Sequence, residues 1–344
     1  MKSNTYLSPY NDISIRLSEE NFFKKKFNLL GFIDNNKKGA NISNSIDKNF
    51  DNIIICSPNY HKEIYYKLID NNVEKEKILF YAQKTNKLIT NLELVSFYDY
   101  DVLDSYNKIK ELKNKYKYKR AFIIGNGPSL KTKDLELMKG EITFAANKIY
   151  LAYKDTDWRP TFYAVEDDLV YKQNYKEIKN LKDSIKLFPQ YALNWNKKID
   201  DAIYFNLKYT PDDISFPQFN PDPILGVYWG STIIFSMIQW AIYLGIDEIY
   251  LLGVDFNFVE SKKFILNEYN RKDLICEGEV NHFHKDYRKI GEKWNLPNLD
   301  VQLKSFSKAK EYCDSHGIKI YNVSRSTKLT IFELKNLDLL FKER

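Results

Sequence analysis

Arg120-Ala-Phe-Ile-Ile-Gly-Asn-Gly-Pro-Ser-Leu130 decides the fold. Ala121 to Ile124 is a short apolar run with no polar alternation, which reads as a strand buried on both faces. It breaks at Gly125-Asn126-Gly127-Pro128-Ser129, and a polar, helix-capable segment follows. A strand that ends in Gly-x-Gly leaves backbone N–H groups unshielded by side chains, a geometry that suits a phosphate. The same turn is equally well explained as a tight structural corner.

Reading downstream, the pattern repeats. A polar stretch from Lys131 to Met138 reads as a helix, and Glu141 to Ala146 and Thr161 to Val165 as strands. Tyr171 to Tyr228 reads as irregular, because Pro211, Pro217, Pro221 and Pro223 interrupt it. Thr232 to Leu244 is apolar on nearly every face and predicts a buried helix that starts at Gly230-Ser231-Thr232 and stops at Gly245. Glu248 to Phe256 is the next strand, with Asp255 near its carboxyl end. Leu299 to His316 is an amphipathic helix presenting Leu299, Leu303, Phe306, Ala309 and Cys313, and Ile318 to Asn322 closes the sheet.

Upstream, Phe27 to Asp34, Asn52 to Ser57 and Lys77 to Tyr81 read as strands separated by helical stretches. They imply a small parallel sheet that lacks a Gly-x-Gly-x-x-Gly turn before Phe27. A structural or partner-binding role suits it better than cofactor binding. Residues 100 to 119 read as a linking helix. The expected organisation is therefore a small α/β domain over 1–115 and a larger Rossmann-like domain over 116–344.

Composition narrows the classes. At 344 residues with 44% apolar content, the chain is a globular protein of about two domains. The formal charge of +6 is spread out, and the short basic runs at Lys24 to Lys26 and Lys113 to Arg120 read as solvated faces, not as a nucleic-acid stripe. Cys56, Cys276 and Cys313 are isolated from one another, so neither a disulfide framework nor a cysteine zinc site is indicated. The N-terminal residues lack a signal-peptide core and the longest apolar stretch is too short to span a bilayer, so the expected location is the cytoplasm. Lys328 to Arg344 mixes apolar and basic residues. It reads as a docked helix, with peripheral contact to the inner face of the membrane as the alternative.

In an open α/β sheet, ligands bind beyond the carboxyl ends of the strands. Those ends collect Gly125 to Ser129, Asn147, Glu166-Asp167-Asp168, Asp255, and Asn322 with Ser324, while Ser231 and Thr232 open the buried helix. Asn147 can donate and accept toward a base or ribose, or cap a turn. Glu166 and Asp167 are placed to hold Mg²⁺ on a diphosphate, orient a hydroxyl or act as a base; an acidic surface loop is the plain alternative. Ser231 and Thr232 are as readily helix caps as anion ligands. His282 and His284 sit two apart in Asn281-His-Phe-His-Lys-Asp-Tyr287, on one side of an extended chain, and either is a natural base for a sugar hydroxyl.

With those residues in place, the segment from about 119 to 335 resembles the bacterial MptE-like, motility-accessory-factor group, which is similar to the family 42 sialyltransferases. Gly125 to Leu130, Gly245 to Phe256, and Asn281 to Tyr287 with Ile320-Tyr-Asn322 carry the resemblance. It implies a Rossmann-like, GT-A-like transferase that moves a nonulosonic acid from a CMP-sugar donor to a glycan or glycoprotein acceptor, with inversion. On that resemblance, Gly125, Asn126, Gly127, Pro128, Ser129 and Asn147 contact the nucleotide, and His284 or His282 is the base, with a slight preference for His284. No resident cofactor is implied. Glu166 stands where the sialyltransferases carry an asparagine, and carboxylates there also suit the Mg²⁺-dependent 6-hydroxymethylpterin diphosphokinases of the same group. A non-catalytic nucleotide-binding scaffold is the third class, and a homo-oligomer is compatible with all three.

Overall fold

The structure is a computed structural model that describes residues 2–46, 49–58, 60–195, 197–210, 217–266, 272–295 and 297–342. Pro211 lies outside them. The chain divides into two compact units, Met1–Tyr106 and Asn107–Arg344.

The first unit holds β1 (Ser3–Ser8), β2 (Phe27–Ile33), β3 (Ile42–Ser43), β4 (Asn52–Ile55), β5 (Ile78–Ala82) and β6 (Lys87–Ile89) in one sheet, ordered β3-β2-β1-β4-β5-β6. All pairs are parallel except β5 with β6. Sequence reading did not find β1, although it is central. Only Tyr6 and Leu7 in it are large and apolar, too few to set a periodicity. The turn after β1 is closed by protein groups: Asn11 caps the next helix and donates to the Cys56 carbonyl (2.9 Å). The carboxylate of Asp34, after β2, accepts from the Tyr10, Asn36 and Lys37 N–H groups.

The second unit continues with β7 (Arg120–Ile124), β8 (Ile142–Ala146), β9 (Phe162–Ala164), β10 (Ile185–Pro189), β11 (Ala202–Phe205), β12 (Leu207–Lys208), β13 (Val227–Tyr228), β14 (Glu248–Leu252), β15 (Phe264–Leu266), β16 (Lys272–Ile275), β17 (Lys293–Asn295), β18 (Lys319–Asn322) and β19 (Glu333–Leu334). Its main sheet has eight parallel strands in the order β11-β10-β9-β8-β7-β14-β18-β19. The chain steps outward from β7 to β11, then returns to β7's other side as β14. The β7–β14 boundary is thus a topological switch point, where ligand crevices open in such sheets.

Cross-strand aromatic pairs hold this register. Tyr250 of β14 stacks on Phe122 of β7 at 5.0 Å and on Tyr321 of β18 at 5.2 Å, and Phe144 stacks on Phe162 at 4.7 Å. The apolar helix forms over Ile233–Tyr243, capped by Thr232, and the chain leaves it through Gly245 at φ +86°. It is buried nearly all round, as an all-apolar helix must be.

Three expectations change. Thr132–Met138 is a series of 3-10 turns, not an α-helix. The region read as irregular contains β10 and β11; β10 hides because its Lys186 is fully buried, its ammonium donating to Asp201 at 2.7 Å. On the helix Leu299–Ser315 the buried stripe is Gln302, Ser305, Phe306, Ala309 and Cys313, with Leu303 44% exposed. The three cysteines are free and buried, and among the described residues no helix is long and apolar enough to cross a membrane.

Candidate functional site

A cavity of about 130 Å³ opens at the switch point. Its walls come from the β7 turn (Gly125 to Gly127), the β8 end (Asn147), the first turn of the buried helix (Thr232 to Ile234), the β14 end (Asp255 to Phe258), and His282 with Tyr287. A second hollow of about 320 Å³ adjoins it, lined by Pro128, Ser129 and Ser326 to Lys328, and the two share Asp255 and Asn257. Alone the first is smaller than the ~300–1,000 Å³ usual for small-molecule sites; together they reach it.

Of the two readings its sequence admits, the tight structural corner accounts for the hydrogen bonds of the glycine turn. The Gly125 N–H donates to the Leu252 carbonyl (2.7 Å) and the Gly127 N–H to the Gly253 carbonyl (2.9 Å). The Ser129 N–H donates to the Asp255 carboxylate (2.7 Å), joined by the Ser129 hydroxyl. The phosphate-ready donors are therefore largely spent, and the protein's own carboxylate fills the cradle. A Cβ on Gly127 would lie 2.5 Å from Asp255 Cγ, so the glycine makes room for Asp255. Burial raises the Asp255 pKa, and the two Ser129 donors hold it back.

Two residues of this wall each carry a buried acceptor with no partner among the described residues. Asn126 spends its amide N–H₂ on the Ala146 carbonyl (3.0 Å), and its Oδ1 has no partner among the described residues. Asn147 Oδ1 is likewise buried and unfilled. Asn147 sits at φ +54°, a conformation asparagine tolerates, and the Tyr163 hydroxyl donates to its carbonyl (2.6 Å). Orphaned buried polar atoms are rare and call for an explanation such as a ligand.

The segment from 257 to 295 closes over three successive strand ends. The Phe283 N–H donates to the Asn126 carbonyl (3.0 Å), Lys148 pairs with Glu292 (2.7 Å), and the Asn295 amide donates to Asp167 (3.4 Å). Inside it the His282 ring stacks on Tyr287 at 3.7 Å. Burial, reinforced by Arg288 and Lys148, drives the His282 pKa down to about 3. His284 is not among the cavity-lining residues; its Nδ1 accepts from the Asp286 N–H (3.1 Å) as a cap. Lys148 and Arg288 were missed in sequence. Arg288 lies over Trp294 at 4.1 Å, and Lys148 directly follows Asn147, which was the available signal.

The acidic triplet splits three ways. Asp167 caps the helix Asp168–Gln173 through the Val170 N–H, and Asp168 pairs with Lys172 on the surface. Glu166 points inward. Neither of its oxygens is hydrogen-bonded among the described residues, and burial drives its pKa up to about 7, with Ser236 pulling weakly the other way without hydrogen-bond geometry. Glu166, Asp167 and Asp255 thus do not form one metal-ligand group, and among the described residues no three His, Cys, Asp or Glu side chains do. Three further candidates are not among the cavity-lining residues and have structural partners. Ser231 accepts from the Asn298 N–H and the Gln302 amide, Asn322 organises the Ser324–Leu329 loop, and the Ser324 hydroxyl accepts from the Val254 N–H.

Glu166 makes a pH prediction. Its folded pKa, about 7, lies above the ordinary carboxylate value of 4.5. Between those values the folded state holds a proton that the unfolded state releases, so this contribution to stability is present below 4.5 and lost as pH rises through 7. Glu166→Gln should therefore be more stable than the wild type at pH 8, by up to about 3 kcal/mol, with the difference shrinking toward pH 5. Urea denaturation of both proteins across that range measures it.

Residues 97–261, spanning β7 to β14 and the walls bearing Asn126, Asn147 and Asp255, match the family model "6-hydroxymethylpterin diphosphokinase MptE-like". That stretch of the chain is similar to the MptE-like family. The match ends at residue 261, before His282, so most of the segment that closes the crevice lies beyond it. Among solved structures, the MAf glycosyltransferase from Magnetospirillum magneticum AMB-1 is similar over 98% of this chain and 58% of its own, at 14% identity and a TM-score of 0.40. The chain therefore spans little more than half the length of that protein. No curated protein matches the sequence.

Proposed function

We propose that the crevice binds the nucleotide end of an activated sugar, and that the protein is a glycosyltransferase of bacterial surface-glycan synthesis. The observation that carries this reading is the pair of buried, unfilled acceptors, Asn126 Oδ1 and Asn147 Oδ1, at the switch point. Acceptors repel phosphate oxygens and await N–H or O–H groups, which a nucleobase amine and ribose hydroxyls supply. Cations lie beside His282, at Arg288 and at Lys148, which is paired with Glu292, and Lys328 lines the adjoining hollow; the phosphate would lie toward one of these.

The sequence resemblance adds the donor: a CMP-linked nonulosonic acid, transferred with inversion to a glycan or glycoprotein. In that reaction His282 takes the proton of the acceptor hydroxyl as its oxygen attacks the anomeric carbon. The bond from that carbon to the phosphate oxygen breaks, and CMP leaves with the electron pair. The hollow beside Asp255 gives the second substrate room.

Titration calorimetry with CMP, CDP, UDP and ATP, each with and without Mg²⁺, tests the reading. Metal-independent binding of CMP is expected. Asn147→Gly, which removes the acceptor without backbone strain, should weaken it about tenfold or more. ATP binding that requires Mg²⁺, with no response to CMP, would replace this reading with the diphosphokinase one.

A further inference from the structure

We infer that strand β15 and the lysines around it dock the protein on an anionic lipid surface. Phe264, Ile265 and Leu266 are 46%, 40% and 57% exposed. They form the edge of a three-stranded antiparallel sheet, β15-β16-β17. Edges are normally blunted by charge, proline or cover; this one carries three large apolar side chains in succession. Val280 and Ile290, on the same closing segment, are also exposed.

Geometry separates a lipid surface from a protein groove. Successive strand residues point to opposite faces, so Phe264 and Leu266 project one way and Ile265 the other. A protein groove reads one face, and a three-residue edge offers few backbone bonds for strand addition. A bilayer interface accepts apolar groups from both faces. Charge sets the kind of lipid. Among the described residues from 257 to 295, six lysines are exposed against three carboxylates, Glu260, Glu277 and Asp286, and with Lys263 paired to Glu277 (3.5 Å) five lysines face two carboxylates. Lys262 and Lys263 flank the strand, and the Lys272 ammonium sits over the Phe264 ring, 4.5 Å from its centroid. Apolar side chains rimmed by lysines are what an anionic interface binds, through buried area plus electrostatic attraction. The same segment carries His282, so docking would hold the crevice close to lipid-borne substrates.

The test is co-sedimentation of the full chain with phosphatidylcholine vesicles, with and without about one third phosphatidylglycerol. Binding to the anionic vesicles is expected, falling at high salt and reduced at least tenfold by Phe264→Asp/Leu266→Asp. These side chains are exposed, so an unchanged circular dichroism spectrum shows the variant is folded. Lys262→Glu/Lys263→Glu should abolish the preference for anionic lipid. Equal binding to both vesicle types, no binding, or loss on neither variant overturns the proposal. So does a dimer in sedimentation velocity that the double aspartate variant dissociates, which would assign the strand to a second copy of the chain.

Discussion

Gly125→Ala should lower the unfolding free energy of the Asn107–Arg344 unit by about 3 kcal/mol or more. A Cβ there would meet the Gly253 carbonyl closer than real Cβ atoms approach anything, with the carbonyl carbon at 3.0 Å. Both partners are backbone, so no rotamer change relieves the contact; β7 and β14 would have to separate where their ends cross-bond. All five tryptophans lie in this unit, so fluorescence-detected urea denaturation of the intact chain follows it selectively. Gly127→Ala should cost less, because its Cβ meets a side chain, the Asp255 carboxyl. In an Asp255→Ala background that cost should largely vanish, a positive coupling between neighbouring sites. A wild-type-like midpoint for Gly125→Ala, or no coupling at 127, would show that the turn is not packed this way.

His282→Gln should reduce kcat for the proposed transfer by about 10²–10⁴-fold with little change in nucleotide affinity. His284→Gln, which disturbs a cap outside the cavity wall, should cost far less. The pH dependence separates a base from a packing residue. In the free protein burial and the cations Lys148 and Arg288 hold the His282 pKa near 3. A bound phosphate offsets those cations and pulls the pKa upward. Because kcat/KM reports the free enzyme and kcat the complex, the acid limb of kcat should lie at higher pH than that of kcat/KM. Neither limb should persist in His282→Gln. The sign for folding is fixed too. A histidine pKa lowered on folding means the unfolded state binds more protons between about 3 and 6.5, so stability is lost as pH falls through that window. Equal losses from both histidine variants, or unshifted limbs, would remove His282 from the chemistry.

Much of the candidate site was legible because it sits where apolar strands stop. Ala121 to Ile124, the Asn147 position, the buried helix between Thr232 and Gly245, and Asp255 all follow from runs of residues that must be buried and the polar residues that end them. Strands β1 and β10 were not legible. β1 has two large apolar side chains, and β10 carries a lysine whose burial is licensed by Asp201, a residue fifteen positions away that only the fold brings near.

Local sequence determined that this chain is an α/β protein with a glycine turn at a strand end, because strand, helix and turn preferences act over a few residues. Tertiary structure decided what the turn is for. The glycines admit β14 and Asp255, the turn's N–H groups are consumed by that approach, and two asparagine oxygens are left unfilled instead. It also decided that Glu166, Asp167 and Asp168 are a buried acid, a cap and a surface partner, and that Lys148 and Arg288 flank His282. Hydrogen-bond satisfaction, desolvation and charge proximity depend on which distant residues meet, and the spacing of letters along the chain does not encode that.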